Sequence, residues 1–218
     1  MDGRFDTLTE QAARSMADRV AHHAISVGRP HDDTGSYVAA HLGQRGPFIN
    51  PVIVITPPTD WDEIVAVAAS RIPEGAMATL ISPYDVPDLS SRGWFLVGHP
   101  PFMARLPGAA SPSKLPAGIR VDEVTERGGL EAFERTRVDG YPVEDMQPYE
   151  WGRFYDERVL GGATHFFVGY VDDQPVATAA AHVSAGVNNV EMVATLDGWR
   201  GRGFGAALTW APTIADPE

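Results

Sequence analysis

Leu8, Ala12, Met16, Val20 and Ala24 recur every four residues, which predicts an amphipathic helix over residues 7–27. Thr7 and Glu10 have the spacing of a capping box at its start. Gly28 and Pro30 mark its end. His22 and His23 adjoin this helix. Neighbouring helical positions point apart, so the two read as exposed polar residues and not as a chelating pair. Residues 29–46 are polar and glycine-rich and read as a loop. Pro51 to Thr56 is a β-branched run that predicts a buried strand. Trp61 to Ile72 predicts a helix with Asp60 as its N-cap. Ala76 to Ser82 predicts a second strand, Pro87 to Arg92 a short turn. A third strand is expected from Trp94 to Val97, resuming from Phe102 to Leu106.

Pro107 to Gly118 is rich in Pro, Ala, Ser and Gly and reads as a linker. Beyond it, Ile119 to Val124 alternates like a half-buried strand. Gly129 to Asp139 and Tyr149 to Leu160 read as helices, parted by a loop with Tyr141 and Pro142. His165 to Val171 and Gln174 to Val183 form a hairpin with Asp172 and Asp173 at its turn. Val190 to Leu196 is a further strand, and Gly203 to Trp210 opens a helix. The chain thus divides into an α/β region over 1–106, a linker over 107–118 and a second domain over 119–218.

The 218 residues are 44% hydrophobic, enough for a real core. A net charge of −12 disfavours nucleic acid, because such a surface repels phosphate backbones. The absence of cysteine excludes disulfides, thiolate metal sites and cysteine nucleophiles. No apolar run approaches the ~18 residues of a membrane span, and the N-terminus lacks a signal-like apolar core. A cytoplasmic protein that binds neither membrane nor metal is the expectation.

One segment carries chemistry. From Thr195 the chain reads Leu196-Asp197-Gly198-Trp199-Arg200-Gly201-Arg202-Gly203-Phe204-Gly205-Ala206. A strand enters a turn with glycines at alternate positions and leaves as a helix. Glycine bends the backbone and keeps Cβ atoms away from a ligand. Amides at a helix start are unpaired, and the dipole there is positive. Together they suit a diphosphate. The hexad Gly201 to Ala206 also fits the dinucleotide fingerprint. That motif needs a later strand and an acidic residue about 20 positions on, and twelve residues follow Ala206.

The loop resembles the acyl-CoA motif of the Gcn5-related N-acetyltransferases: Gln or Arg, two residues, Gly, one residue, then Gly or Ala. Here it is Arg200-Gly201-Arg202-Gly203-Phe204-Gly205, with Val193-Ala194-Thr195 in the place of the family's fourth strand. The resemblance covers about the last hundred residues. It implies a mixed, mainly antiparallel α+β sheet flanked by helices, with acetyl-CoA as co-substrate. By the same match, backbone at Val193, Ala194 and Thr195 on a bulged strand meets the pantetheine and the thioester. Arg200, Gly201, Arg202, Gly203, Phe204, Gly205 and Ala206 hold the pyrophosphate. The reaction implied is direct attack of a small-molecule or protein amine on the thioester. Glu191 is the candidate base, two residues before Val193 and so expected on the same face. His182 is a lesser candidate, and Tyr141 and Tyr155 could line the acceptor site.

The family continues past this helix with further strands. The fifth splays from the fourth to admit the pantetheine, and a tyrosine often protonates the leaving thiolate. This sequence reads as stopping short of them, with Pro212 breaking the helix. The fourth strand would then have an open edge, available to the N-terminal strands or to a second copy in a homodimer. The order strand, helix, strand from Pro51, with Gly93-Trp94 opening a closing stretch, reads as a degenerate GNAT-like half. Two functions follow: an N-acetyltransferase, or an inactive relative that binds acyl-CoA weakly or acts through protein contacts.

Overall fold

The computed structural model describes residues 3–46, 49–106, 108, 115–141 and 146–213. Most of the expected linker and Pro142 lie outside these residues. Helix α1 (Gly3–Ser26) buries Ala13, Ala17, Val20, Ala21 and Ala24. It begins a turn earlier than its pattern suggests, so Thr7 and Glu10 are not at its start; Glu10 instead pairs with Arg14.

Two four-stranded sheets flank α1. The first comprises β1 (His31–Asp33), β2 (Tyr37–Ala40), β3 (Pro51–Val54) and β4 (Thr79–Ile81). The first three strands run antiparallel, and α2 (Trp61–Arg71) crosses over to a parallel β4. Asp60 caps α2, accepting the Asp62 amide at 2.7 Å. Strands β1 and β2 replace the loop expected over 29–46. Their shortness and the polar turn at Asp33 to Ser36 hide them, although every residue of β2 is buried. No strand forms over 94–97 or 102–106. The intervening Pro100-Pro101 lacks two ladder donors, and Phe95, Val97 and Met103 are exposed.

The second sheet holds β5 (Arg120–Glu123), β6 (Thr164–Val171), β7 (Gln174–Ser184) and β8 (Val187–Thr195), all antiparallel and in that order. Asp172 and Asp173 make the β6–β7 turn with φ of 48° and 62°, the left-handed pair of a tight hairpin. Helices α1 and α3 (Arg127–Gly140) cover one face around Phe133, Tyr155 and Phe166. Helix α4 (Phe204–Thr213) covers the other with Phe204, Ala207 and Leu208. Pro212 lies inside its last turn and does not break it.

Two further expectations change. The N-terminal strands do not pair with β8, because α1 stands between the sheets and fills both with one shared core. Residues 149–160 form only a short 3-10 turn at Glu157–Val159. Their amides are taken by a side chain instead. Glu134 of α3 accepts Gly152 N–H at 3.2 Å, Phe154 N–H at 2.8 Å and Tyr155 N–H at 3.3 Å.

Candidate functional site: a bulged strand and a glycine loop

Strand β8 loses its register midway. Thr178 pairs with Ala194 and Ala180 with Glu191, so Ala179 opposes both Met192 and Val193. This is a β-bulge, with Met192 left-handed at φ 56°. The bulge also breaks the alternation that would place Glu191 and Val193 on one face. Met192 packs into the same core as Ala180, the partner of Glu191, while Val193 is exposed. On its other side β8 has no strand neighbour among the described residues.

At the end of β8 the Leu196 amide donates to Val176 C=O, and a 3-10 turn over Asp197–Trp199 leads into the loop. Gly201 and Gly203 take φ of 76° and 82°, values that favour glycine. Residues 200–203 are exposed. The first intrahelical bond runs from Ala207 N–H to Gly203 C=O, so the amides before it lack helical acceptors. The two arginines turn back onto the loop. Arg200 donates to Gly140 C=O at 2.7 Å and Thr195 C=O at 3.1 Å and pairs with Asp197 at 2.7 Å. Arg202 donates to Gly198 C=O and lies 4.7 Å over the Trp199 ring. They brace the loop's shape. Gly140 allows this, since a Cβ there would meet the backbone of Thr195 at 3.2 Å.

Glu191 faces α1, where it forms an ion pair with Arg19, a residue sequence reasoning did not single out. Burial pushes its carboxyl up, and Arg19 and Arg137 pull it back. Arg137 stacks 4.5 Å over Phe154 with its Nη1 buried and unbonded among the described residues. His182 is fully buried. Its Nε2–H donates to Asp18 at 2.8 Å and its Nδ1 takes the Thr164 hydroxyl at 2.8 Å. Both nitrogens are thus occupied by protein groups. Tyr141 is exposed, whereas Tyr155 lies in the core with its hydroxyl against the Met192 sulfur. No helix of the described residues is long and apolar enough to cross a membrane.

His23 corrects the expectation of an exposed histidine: it is 2% exposed. Its Nε2–H donates to Phe154 C=O, and Nδ1 has no partner among the described residues. Burial pushes its pKa down to about 3. The folded form therefore stays neutral while the unfolded chain takes up a proton below pH 6.5. Stability through His23 falls by ~1.4 kcal/mol per pH unit between pH 6.5 and about 3. A His23→Gln variant will show a shallower loss of melting temperature from pH 6.5 to 5; an equal slope would contradict the assignment.

No protein-family model matches the sequence, and no curated protein is significantly similar to it. Among solved structures, a GCN5-related N-acetyltransferase from Kribbella flavida superposes with a TM-score of 0.56 at 23% identity, over 90% of this chain and 79% of that one. Coverage of that extent includes the N-terminal sheet. Escherichia coli ElaA aligns over 46% of this chain and 73% of its own at 22% identity, with a TM-score of 0.35, too low to establish a shared fold by itself. With its bulged β8, glycine loop and following helix, the chain has the fold of the Gcn5-related N-acetyltransferases.

Proposed function

We propose that the protein is a cytoplasmic, acyl-CoA-dependent N-acetyltransferase that passes acetyl from acetyl-CoA to a primary amine by direct attack. The observation that carries this reading is the junction of β8 and α4. A strand with an interrupted ladder, and with an edge left open by the described residues, runs into two left-handed glycines and a helix start with unpaired amides. Amides from Gly201 to Ala206 would receive the pyrophosphate, with Arg200 and Arg202 holding the loop. Backbone at Val193 to Thr195 would receive the pantetheine along the open edge. A donor at the bulge would stabilise the tetrahedral oxyanion. We also infer that the N-terminal region is a degenerate GNAT-like half, because an antiparallel three-strand run followed by a helix occurs in both halves.

A second reading, an inactive relative that binds acyl-CoA, draws on one observation. The candidate base Glu191 is tied to Arg19, which opposes its taking a proton. Calorimetry with acetyl-CoA and a thiol-release assay over an amine panel separate the two. Gly203→Asp places a carboxylate in the loop at a left-handed position and is expected to abolish acetyl-CoA binding while circular dichroism stays native. Undiminished affinity in a folded Gly203→Asp protein would refute the loop assignment.

A further inference from the structure

Strand β7 passes through the core as Val176-Ala177-Thr178-Ala179-Ala180-Ala181, every residue of which is 0% exposed. Thr178 is the one hydroxyl in this apolar run. A hydroxyl buried at such a place costs free energy unless it is bonded. Its partner is the carbonyl of Met192, 3.1 Å away. Met192 is the left-handed residue of the bulge, and the bulge has removed the ordinary ladder partners at this point. A left-handed residue other than glycine persists only where its surroundings over-determine it. Thr178 fixes its main chain from β7, and the Tyr155 hydroxyl lies against its side-chain sulfur.

We propose that Thr178 is a positioning residue for acetyl transfer. Its hydroxyl holds the Met192 carbonyl inward, so that the peptide to Val193 presents its donor to the open edge of β8. This rests on the acetyl-transfer reading given above. Thr178 touches no reacting atom; it sets the orientation of the backbone that does.

The test compares Thr178→Val, which keeps shape and loses the hydroxyl, with Thr178→Ser, which keeps the hydroxyl. A third protein combines Thr178→Val with Met192→Gly, since glycine holds a left-handed φ unaided. Amide hydrogen exchange in the β7–β8 ladder on either side of the bulge should quicken by up to about tenfold in the free Thr178→Val protein, the change expected when one hydrogen bond is lost. With acetyl-CoA and a reactive amine found in the panel, kcat should fall by about 10²-fold, the scale of one lost oxyanion donor, with KM for acetyl-CoA little changed. Serine should restore most of the rate, and Met192→Gly part of it. Unchanged exchange and rate in Thr178→Val, or equal losses in Val and Ser variants, would overturn the proposal. If the wild-type protein neither binds acetyl-CoA nor releases thiol, the acetyl-transfer reading fails and the catalytic part of the proposal fails with it. The exchange data then decide separately whether Thr178 sets the bulge.

Discussion

Replacing Glu134 by alanine is expected to lower the free energy of unfolding by about 3–5 kcal/mol, the cost of leaving the buried Phe154 and Tyr155 amides and the part-buried Gly152 amide without an acceptor. The carboxylate accepts from three successive parts of one segment, at Gly152, Phe154 and Tyr155, and the Tyr149 hydroxyl lies 3.4 Å away. Burial pushes the Glu134 carboxyl up, and the amides oppose that shift. The segment it organises carries Phe154 and Tyr155, which pack against His23, Phe133 and Phe166. Glu134→Gln keeps one carbonyl oxygen for Phe154 and Tyr155 but turns an NH₂ toward Gly152, so its loss should be smaller. Chemical denaturation of both variants measures this. A Glu134→Ala protein within 1 kcal/mol of wild type, as ~1 kcal/mol is typical of any substitution, would show that the segment holds itself.

Removing Arg19 should be nearly as damaging. Arg19 and Glu191 side chains are 12% and 21% exposed, and Arg19→Ala leaves a carboxylate in the core without its partner. Breaking a buried pair from one side costs about 3–5 kcal/mol. Replacing both, as in Arg19→Met with Glu191→Leu, should recover most of the loss, since the pair's attraction largely offsets its own desolvation. The same residues decide the role of Glu191. If it is the base, Glu191→Gln lowers kcat by about 10²–10⁴-fold in a folded protein. If it serves only α1, the variant is destabilised and its kcat is preserved.

The C-terminal sheet could be read from the sequence because its signals are local. Alternation gave β5, the paired aspartates gave the β6–β7 hairpin, and the glycines gave the loop. The strand pairings of the first sheet could not, because β1 and β2 are three and four residues long and their burial comes from α1 and α2. The polar residues that support the bulge were accessible in principle. Glu134 and Arg137 lie at helical spacing among Leu130, Phe133 and Val138, and Arg19 and His23 lie likewise among Met16, Val20 and Ala24. Charged or titratable groups on an apolar stripe signal a buried polar contact. Their partners stay hidden, because Arg19 meets Glu191 only once β8 has packed against α1, far away in sequence.

The cap on α2 has an electrostatic consequence. Among the described residues three strands of antiparallel runs turn into helices: β3 into α2, β5 into α3 and β8 into α4. At the first, Asp60 already occupies the helix start, and Asp62 and Glu63 crowd its first turn. The positive end of that helix is neutralised from within and would repel a diphosphate. At the second, Glu126 stands at the N-cap position. At the third, no acidic residue lies in the first turn, and glycine leaves the amides uncovered. Of these three helix starts only the last is free of acidic residues, so on the proposed reading an acyl-CoA titration should saturate at one equivalent.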